Sequence, residues 1–452
     1  MLEPMPDDGG TVLMGSLADV DLAAAGYVQS EWRCSGTAEA YRAGGPLGAD
    51  GRWDLEVADR AAFATRAVVR LPADPGRASG TVVVEWLNVS SGADAAPVFG
   101  FAGPEVVRAG HAWVGVSAQW AGVVSAPALV DVGGVALQAL QDADPDRYGD
   151  LHHPGDAFCF DIFTRVAAAV VGEGGPLDRR RVDRVLAVGE SQSAYALTTY
   201  VDGVLPLTDA FDGVLVHSRG GPPMPLGHRD RGVDLEAGRD DPAVRIRDDL
   251  DVPVLVLQTE TDVLGHLYSL PARQPDTDRL RLWEVAGSAH ADRSLIGDLE
   301  GLLGCADPVN RGQQRFVVRS ALRHLDSWAG GGPAPPVAER LVVEGDPSGG
   351  RRGLSFATDD RGIVRGGVRT PCVDAPVEVL SGLGAPGASH VCLLFGRTLP
   401  VPTDELRARY PSPAAYLDAY AQALDAAIEA GFVLPEDRDE VLADARTGLV
   451  TW

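Results

Sequence analysis

The chain reads as an α/β fold with a mainly parallel central sheet covered by helices on both faces, a lid insertion and a C-terminal extension. Three observations point there. Short apolar, β-branched runs recur with helical stretches between them, as parallel strands buried on both faces do. One run stops at Gly189-Glu190-Ser191-Gln192-Ser193, a string of small residues suited to a sharp strand-to-helix corner. Two later runs end at a pair of carboxylates and at a histidine.

Taken in order, residues 1–60 are mixed and glycine-rich and read as an N-terminal extension. The core is expected over 61–328. Its first clear strand is Ala64 to Leu71, and a stronger one runs from Gly80 to Leu87. A helix from about Pro97 to Ala109 leads to a strand at Ala112 to Ser117. Residues 144–156, rich in Asp, His, Pro and Gly, suit a loop over the active face, and Asp161 to Val171 suits a helix. Arg184 to Val188 is the strand before the corner, and Ser193 to Gly203 the helix after it. Further strands are expected at Phe211 to Ser218, Val252 to Thr259 and Leu280 to Val285, with a closing helix from Val318 to Trp328. The polar stretch 221–249 lacks an apolar period and sits where a cap is usually inserted, so it is assigned as a lid. Residues 329–336, AGGGPAPP, are a linker by composition. The extension 337–452 carries one amphipathic helix, about Ala414 to Ala430, and is expected to pack on the core.

The corner is a nucleophile elbow of the form G-x-S-x-S rather than the commoner G-x-S-x-G. It pushes the hydroxyl of Ser191 above the sheet. Downstream, Glu260-Thr261-Asp262 ends one strand and Gly287-Ser288-Ala289-His290 follows the next. Three strand ends thus supply a nucleophile, a carboxylate and an imidazole in the chain order Ser, acid, His that one large class of α/β enzymes uses. Such an ordered set is far more specific than the elbow alone.

Composition limits the alternatives. A length of 452 residues implies one large domain with additions, or two domains. The net charge is −25 and all 39 basic residues are arginine; such a surface repels nucleic-acid phosphates and anionic lipid. No nucleic-acid or membrane partner is expected, and oligomeric state is not legible. With no run of eighteen apolar residues and no basic, then apolar, leader at the N-terminus, a cytoplasmic location is expected. The cysteines, 34, 159, 305, 372 and 392, are odd in number and scattered. They are expected to be buried thiols in a reducing compartment.

The strings VVVEWLNVSSGADAAP, RYGDLHHPGDAFCFDIF, VLAVGESQSA, DGVLVHSRGG, VPVLVLQTETDV, EVAGSAHAD and GGVRTPCVDAPVEVLSG together resemble the bacterial and fungal group called α/β-hydrolase domain-containing proteins. The resemblance runs from about residue 60 to 400. It implies the hydrolase fold, a serine-hydrolase triad, and a C-terminal tail that belongs to the architecture.

The roles follow from chemistry. Ser191 is the candidate nucleophile and His290 the base that takes its proton and returns it to the leaving alcohol. Asp262, a few residues beyond its strand, has the register of the orienting acid, with Glu260 as the alternative. The oxyanion would be held by the backbone N–H of Gln192 and one near Asn88 or Val89. Trp86 and Trp120 could line an acyl pocket, or be plain core. Arg219 could grip a substrate carboxylate, or anchor the lid through a salt bridge. Asp150, His152, His153 and Asp156 carry metal-ligating atoms, yet an Asp/His/Pro/Gly loop is turn chemistry. The string Gly172-Glu173-Gly174-Gly175 lacks the spacing of a dinucleotide fingerprint. No metal and no cofactor is expected. The expected activity is hydrolysis of a small-molecule carboxylic ester through an acyl-enzyme, with lactone cleavage, acyl transfer or non-catalytic binding on the same fold as alternatives.

Overall fold

The computed structural model describes residues 1–6, 10, 13–15, 20–125 and 137–452. Nine strands form one sheet: β1 (Leu2–Pro4), β2 (Tyr27–Ala43), β3 (Leu55–Pro72), β4 (Thr81–Trp86), β5 (Ala112–Val116), β6 (Arg184–Glu190), β7 (Gly213–His217), β8 (Val254–Thr259) and β9 (Leu280–Val285). Their spatial order is β1-β2-β3-β5-β4-β6-β7-β8-β9. From β5 to β9 all neighbours are parallel, whereas β1, β2 and β3 join antiparallel.

Alternation along the buried strands builds two cores. On β6, Val185 and Ala187 face one side while Leu186 and Val188 face the other. The first side is covered by helices Cys159–Val171 and Gln192–Thr199, the second by Pro97–Ala109 and Gln314–Ala329. Each fully buried aliphatic side chain contributes about 1.5–3 kcal/mol relative to an exposed one. Because both faces of the parallel strands β4 to β9 are covered, only the ends of these strands are open to solvent.

Residues 1–60 are not peripheral to this sheet, since they supply β1, β2 and the start of β3. Glycine-rich composition hid a long hairpin whose outer half buries Ala38, Ala40 and Leu55 on one face and exposes Glu56 to Arg60. The stretch 337–452 lies against the core: Val368 N donates to Glu284 O and Ala286 N to Val368 O, extending the backbone pairing beside β9. Helix Pro413–Glu429 packs Tyr416, Tyr420 and Leu424 against Phe316 of the closing core helix. The 221–249 segment contains no helix, and Met224, Val244 and Ile246 within it are buried in the main core.

The expectation for the cysteines is corrected. Cys305 and Cys392 are joined in a disulfide, so these two are not free thiols; Cys34, Cys159 and Cys372 are. The pairing spans 87 residues, and only the fold brings its ends together. Among the described residues no helix is long and apolar enough to cross a membrane.

The hairpin is tied to the core by a buried charge cluster. The guanidinium of Arg66 on β3, fully buried, meets Glu31 of β2 at 3.1 Å and Asp94 of the loop after β4 at 2.8 Å. Removing one partner of such a cluster strands charge in a low-dielectric interior. Arg66→Ala is expected to lower unfolding stability by about 3–5 kcal/mol, read from urea unfolding followed by tryptophan fluorescence; a loss below about 1 kcal/mol would show that the cluster does not hold the hairpin.

Candidate active site

At the end of β6 the chain turns into helix Gln192–Thr199 through Ser191, whose backbone adopts φ 61°, ψ −123°. This left-handed conformation costs a non-glycine residue about 1–3 kcal/mol and persists only where the surroundings hold it. Here Ser191 N donates to His217 O on β7 at 3.0 Å. Tight packing of helix on strand explains the flanking residues. A Cβ on Gly189 would come within 3.0 Å of Ser193 Cβ and of Leu197 Cδ1, so residue 189 has no room for a side chain and 193 room only for a small one.

The Ser191 hydroxyl lies 2.7 Å from His290 Nε2, and His290 Nδ1 lies 2.7 Å from Asp262 Oδ1. The other oxygen of Asp262 accepts from Thr259 N, Thr259 Oγ1 and Ser218 Oγ at 2.6–2.8 Å. A capping box closed between Thr259 and Asp262 fixes that carboxylate. Glu260, the alternative acid, points away: it accepts from Gly287 N at 2.6 Å and Gly382 N at 2.8 Å. Burial pushes its carboxyl up to about 7.

For the oxyanion donors the outcome is mixed. Gln192 is the first residue of its helix, so its backbone N–H has no intrahelical acceptor. Val89 N makes only a long contact, 3.4 Å, to Gln192 Oε1. Asn88 N is already committed to Ala95 O at 2.9 Å and is not available; the Asn88 amide instead donates to Glu190 O, steadying the elbow.

Three expected substrate contacts lie elsewhere. Trp86 is fully buried against Phe160 and Phe163, and its indole donates to Gln119 Oε1. Gln192 Nε2 donates to the same oxygen at 2.6 Å, so Gln119 links the Trp86 indole to the side chain of the first helix residue. Trp120 sits edge-on to His153, lines neither of the clefts at Ser191, and donates from its backbone N–H to Asp156. Arg219 is buried and donates to the carbonyls of Gly220, Gly221 and Val244, so it anchors the 221–249 segment through backbone oxygens rather than through the expected salt bridge. In the 144–156 loop, His153 bonds Ala118 O and Gly155 N, and Asp156 accepts from Trp120 N and Val233 N. It is turn chemistry.

A family model described as alpha/beta hydrolase domain matches residues 2–443. The chain belongs to that family. No curated protein matches it. Among solved structures it is similar to a putative dienelactone hydrolase from Klebsiella pneumoniae (11% identity, TM-score 0.26, covering 56% of this chain and 85% of that one). It is also similar to fungal esterases from Rhizomucor miehei (10%, TM-score 0.33, 69% and 92%) and to the esterase Est22 (12%, TM-score 0.34, 68% and 83%). Scores this low carry no argument about chemistry.

This alpha/beta hydrolase domain also holds a group that sequence reasoning missed. Glu190, the residue before Ser191, is buried with Oε1 3.5 Å from His290 Nε2. Burial raises the pKa of its carboxyl, and the facing His290 imidazolium opposes that rise by favouring the carboxylate. For His290, burial works against the imidazolium, but Glu190 and Asp262 outweigh it and hold the ring above its ordinary value. A glutamate closing the otherwise apolar run VLAVG was the available signal, because an elbow residue at a buried strand end has nowhere exposed to go. Ser218, at φ 59° after β7, carried no such signal.

Two clefts flank Ser191. One, of about 150 Å³, is apolar, with Met14, Pro97, Leu295, Ile296, Leu394 and Phe395 on its walls. The other, about 70 Å³, sets the polar groups of Tyr195, Glu236, Arg239, His266 and His390 among Leu235, Leu267 and Leu394. The part of the 221–249 segment that faces Ser191 is therefore around residues 235–239.

Because Glu190 helps to hold the imidazolium, Glu190→Gln is expected to lower the midpoint of His290, seen as a shift of its ring resonances to lower pH in an NMR titration. An unchanged or raised midpoint would show that Asp262 alone sets it.

Proposed function

We propose that the protein is a serine hydrolase that cleaves carboxylic esters of small molecules through an acyl-enzyme. The observation that carries this reading is the unbroken chain Ser191 Oγ to His290 Nε2 to His290 Nδ1 to Asp262, with both links at 2.7 Å. An alcohol is a poor nucleophile at neutral pH, and a base already within hydrogen-bond reach removes its proton as it attacks the ester carbonyl. Asp262 keeps the proton of His290 on Nδ1, leaving Nε2 free to accept, and stabilises the imidazolium that forms. The tetrahedral oxyanion is held by Gln192 N–H, and by Val89 N–H once its long contact to the Gln192 side chain is released. His290 then protonates the departing alcohol, and water repeats the sequence to free the acid.

Ester size and shape are read by the two clefts. One is lined by helix His390–Phe395 and residues 295–296, the other by residues 235–239. Leu235 belongs to the expected lid and partly covers the smaller cleft. Its truncation is expected to change the order in which short, long and aromatic esters are preferred.

Ser191→Ala and His290→Ala are each expected to abolish nearly all turnover of a p-nitrophenyl ester and, for Ser191→Ala, labelling by a fluorophosphonate. More than about a tenth of wild-type turnover in folded Ser191→Ala would overturn the assignment. Asp262→Asn should cost about 10³–10⁴ in kcat, with Glu260→Gln costing far less; the reverse order would move the orienting role to Glu260. Leu235→Ala should shift kcat/KM ratios across an ester panel by several-fold, about the scale of a pocket contact, and an unchanged order would place selection in the apolar cleft.

A further inference from the structure

The smaller cleft beside Ser191 gathers three side chains that the hydrolytic chemistry does not use. Glu236 comes from the 221–249 segment, His266 from the loop beyond Asp262, and His390 from the first turn of helix His390–Phe395. One ligand atom from each lies within 4.8 Å of the other two. The two imidazole rings are 4.3 Å apart, centre to centre. The Nε2 atom of His266 is buried and has no hydrogen-bond partner, so a polar atom there lacks what an ion or ligand would provide.

We propose that Glu236, His266 and His390 form a binding site for a divalent cation of the zinc class, with its open coordination position in the cleft next to Ser191. Two imidazoles and one carboxylate are a donor set that zinc takes when a fourth position is left for water or substrate. Donor atoms on a tetrahedral zinc ion stand about 3.3–3.5 Å apart, given bonds of about 2.0–2.2 Å. Closing the site from the observed spacing therefore needs a movement of up to about 1.5 Å, and Glu236, exposed and in a segment without regular structure, is the donor with most room to move.

Two nearby cations, Arg239 and Arg351, oppose the ion. Arg239 forms an ion pair with Glu236 and lines the same cleft. Its guanidinium competes for the carboxylate and repels a second cation, so binding requires Glu236 to exchange Arg239 for the metal. This exchange separates a cation site from an anion site, in which Arg239 would be the principal contact.

The test is calorimetric titration of the full chain with zinc chloride at about pH 7.5, where histidine is largely neutral. One ion per chain is expected. Glu236→Gln, His266→Ala and His390→Ala should each weaken binding by about tenfold or more, whereas Arg239→Ala should tighten it. No binding in the unmutated protein up to about millimolar zinc, wild-type affinity in both histidine variants, or weaker binding in Arg239→Ala would overturn the proposal. Anomalous diffraction from zinc-soaked crystals of the unmutated protein removes any dependence on variant folding: a peak among the three side chains supports the site, and one only elsewhere, for example at Cys372, overturns it. None of these readouts uses ester turnover, so they stand or fall independently of the hydrolytic reading.

Discussion

The conformation of Ser191 constrains the rest of the site. A non-glycine residue held at φ 61° must be fixed from several directions, and each fixing contact positions something else. Its N–H is bonded to His217 O, which locks β7 to the corner. The carbonyl just before it accepts from the Asn88 amide, which draws the loop after β4 over the helix start. Close packing of Ser193 and Leu197 on Gly189 then aims the first turn of the helix, and with it the Gln192 N–H, at the space above the serine. Strain at one residue is thus balanced by contacts that also bring the neighbouring loops to the reacting atom.

Neighbouring carboxylates differ in role because their hydrogen bonds differ. Glu260 and Asp262 occupy one turn of one short helix. The Thr259 capping box turns Asp262 inward to His290, while Glu260 is consumed in joining Gly287 to Gly382. Glu190 faces the imidazole from the other side of the relay, at the nitrogen that meets Ser191. Glu85 follows the Glu260 pattern, accepting from Val98 N, Phe99 N and the Trp113 indole, with burial pushing it up to about 7. These four buried acids serve either as anchors for N–H groups or as partners of His290.

Much of this was legible in the residues because strand ends are marked locally. The apolar runs of β4 to β9 carry their own punctuation, and Ser191, Asp262 and His290 each fall just past one. Helix Pro97–Ala109 begins at a proline and ends before a left-handed glycine, and its limits match the reading. What failed needed three-dimensional information. Trp86 ends a strand buried on both sides, where alternation cannot tell which face a side chain takes, and Trp120 opens a short helix after its strand. Asn88 lay in the right loop, yet its N–H was already committed within it. The long β2–β3 hairpin exposes Glu56 to Arg60 at its far end, so it carries no buried-strand signal there, and the Cys305–Cys392 pair joins segments with no local mark.

The least legible part of the site comes from beyond the glycine-proline linker. Helix His390–Phe395 contributes Leu394 to both clefts and Phe395 to the apolar one. It is held there by the disulfide to Cys305 and by Ala291 N and Asn310 N donating to Leu394 O and Phe395 O. Asn310 also donates from its amide to Gly287 O and Ser381 O, so the loop that carries His290 and the C-terminal segment share one set of polar contacts. In the proposed reaction the core therefore provides the reacting atoms, while the extension provides much of the wall of the two clefts. The extension is inconspicuous in sequence for that reason. A wall needs shape and apolar area, which many residues supply, whereas a proton relay needs particular atoms at hydrogen-bond distance.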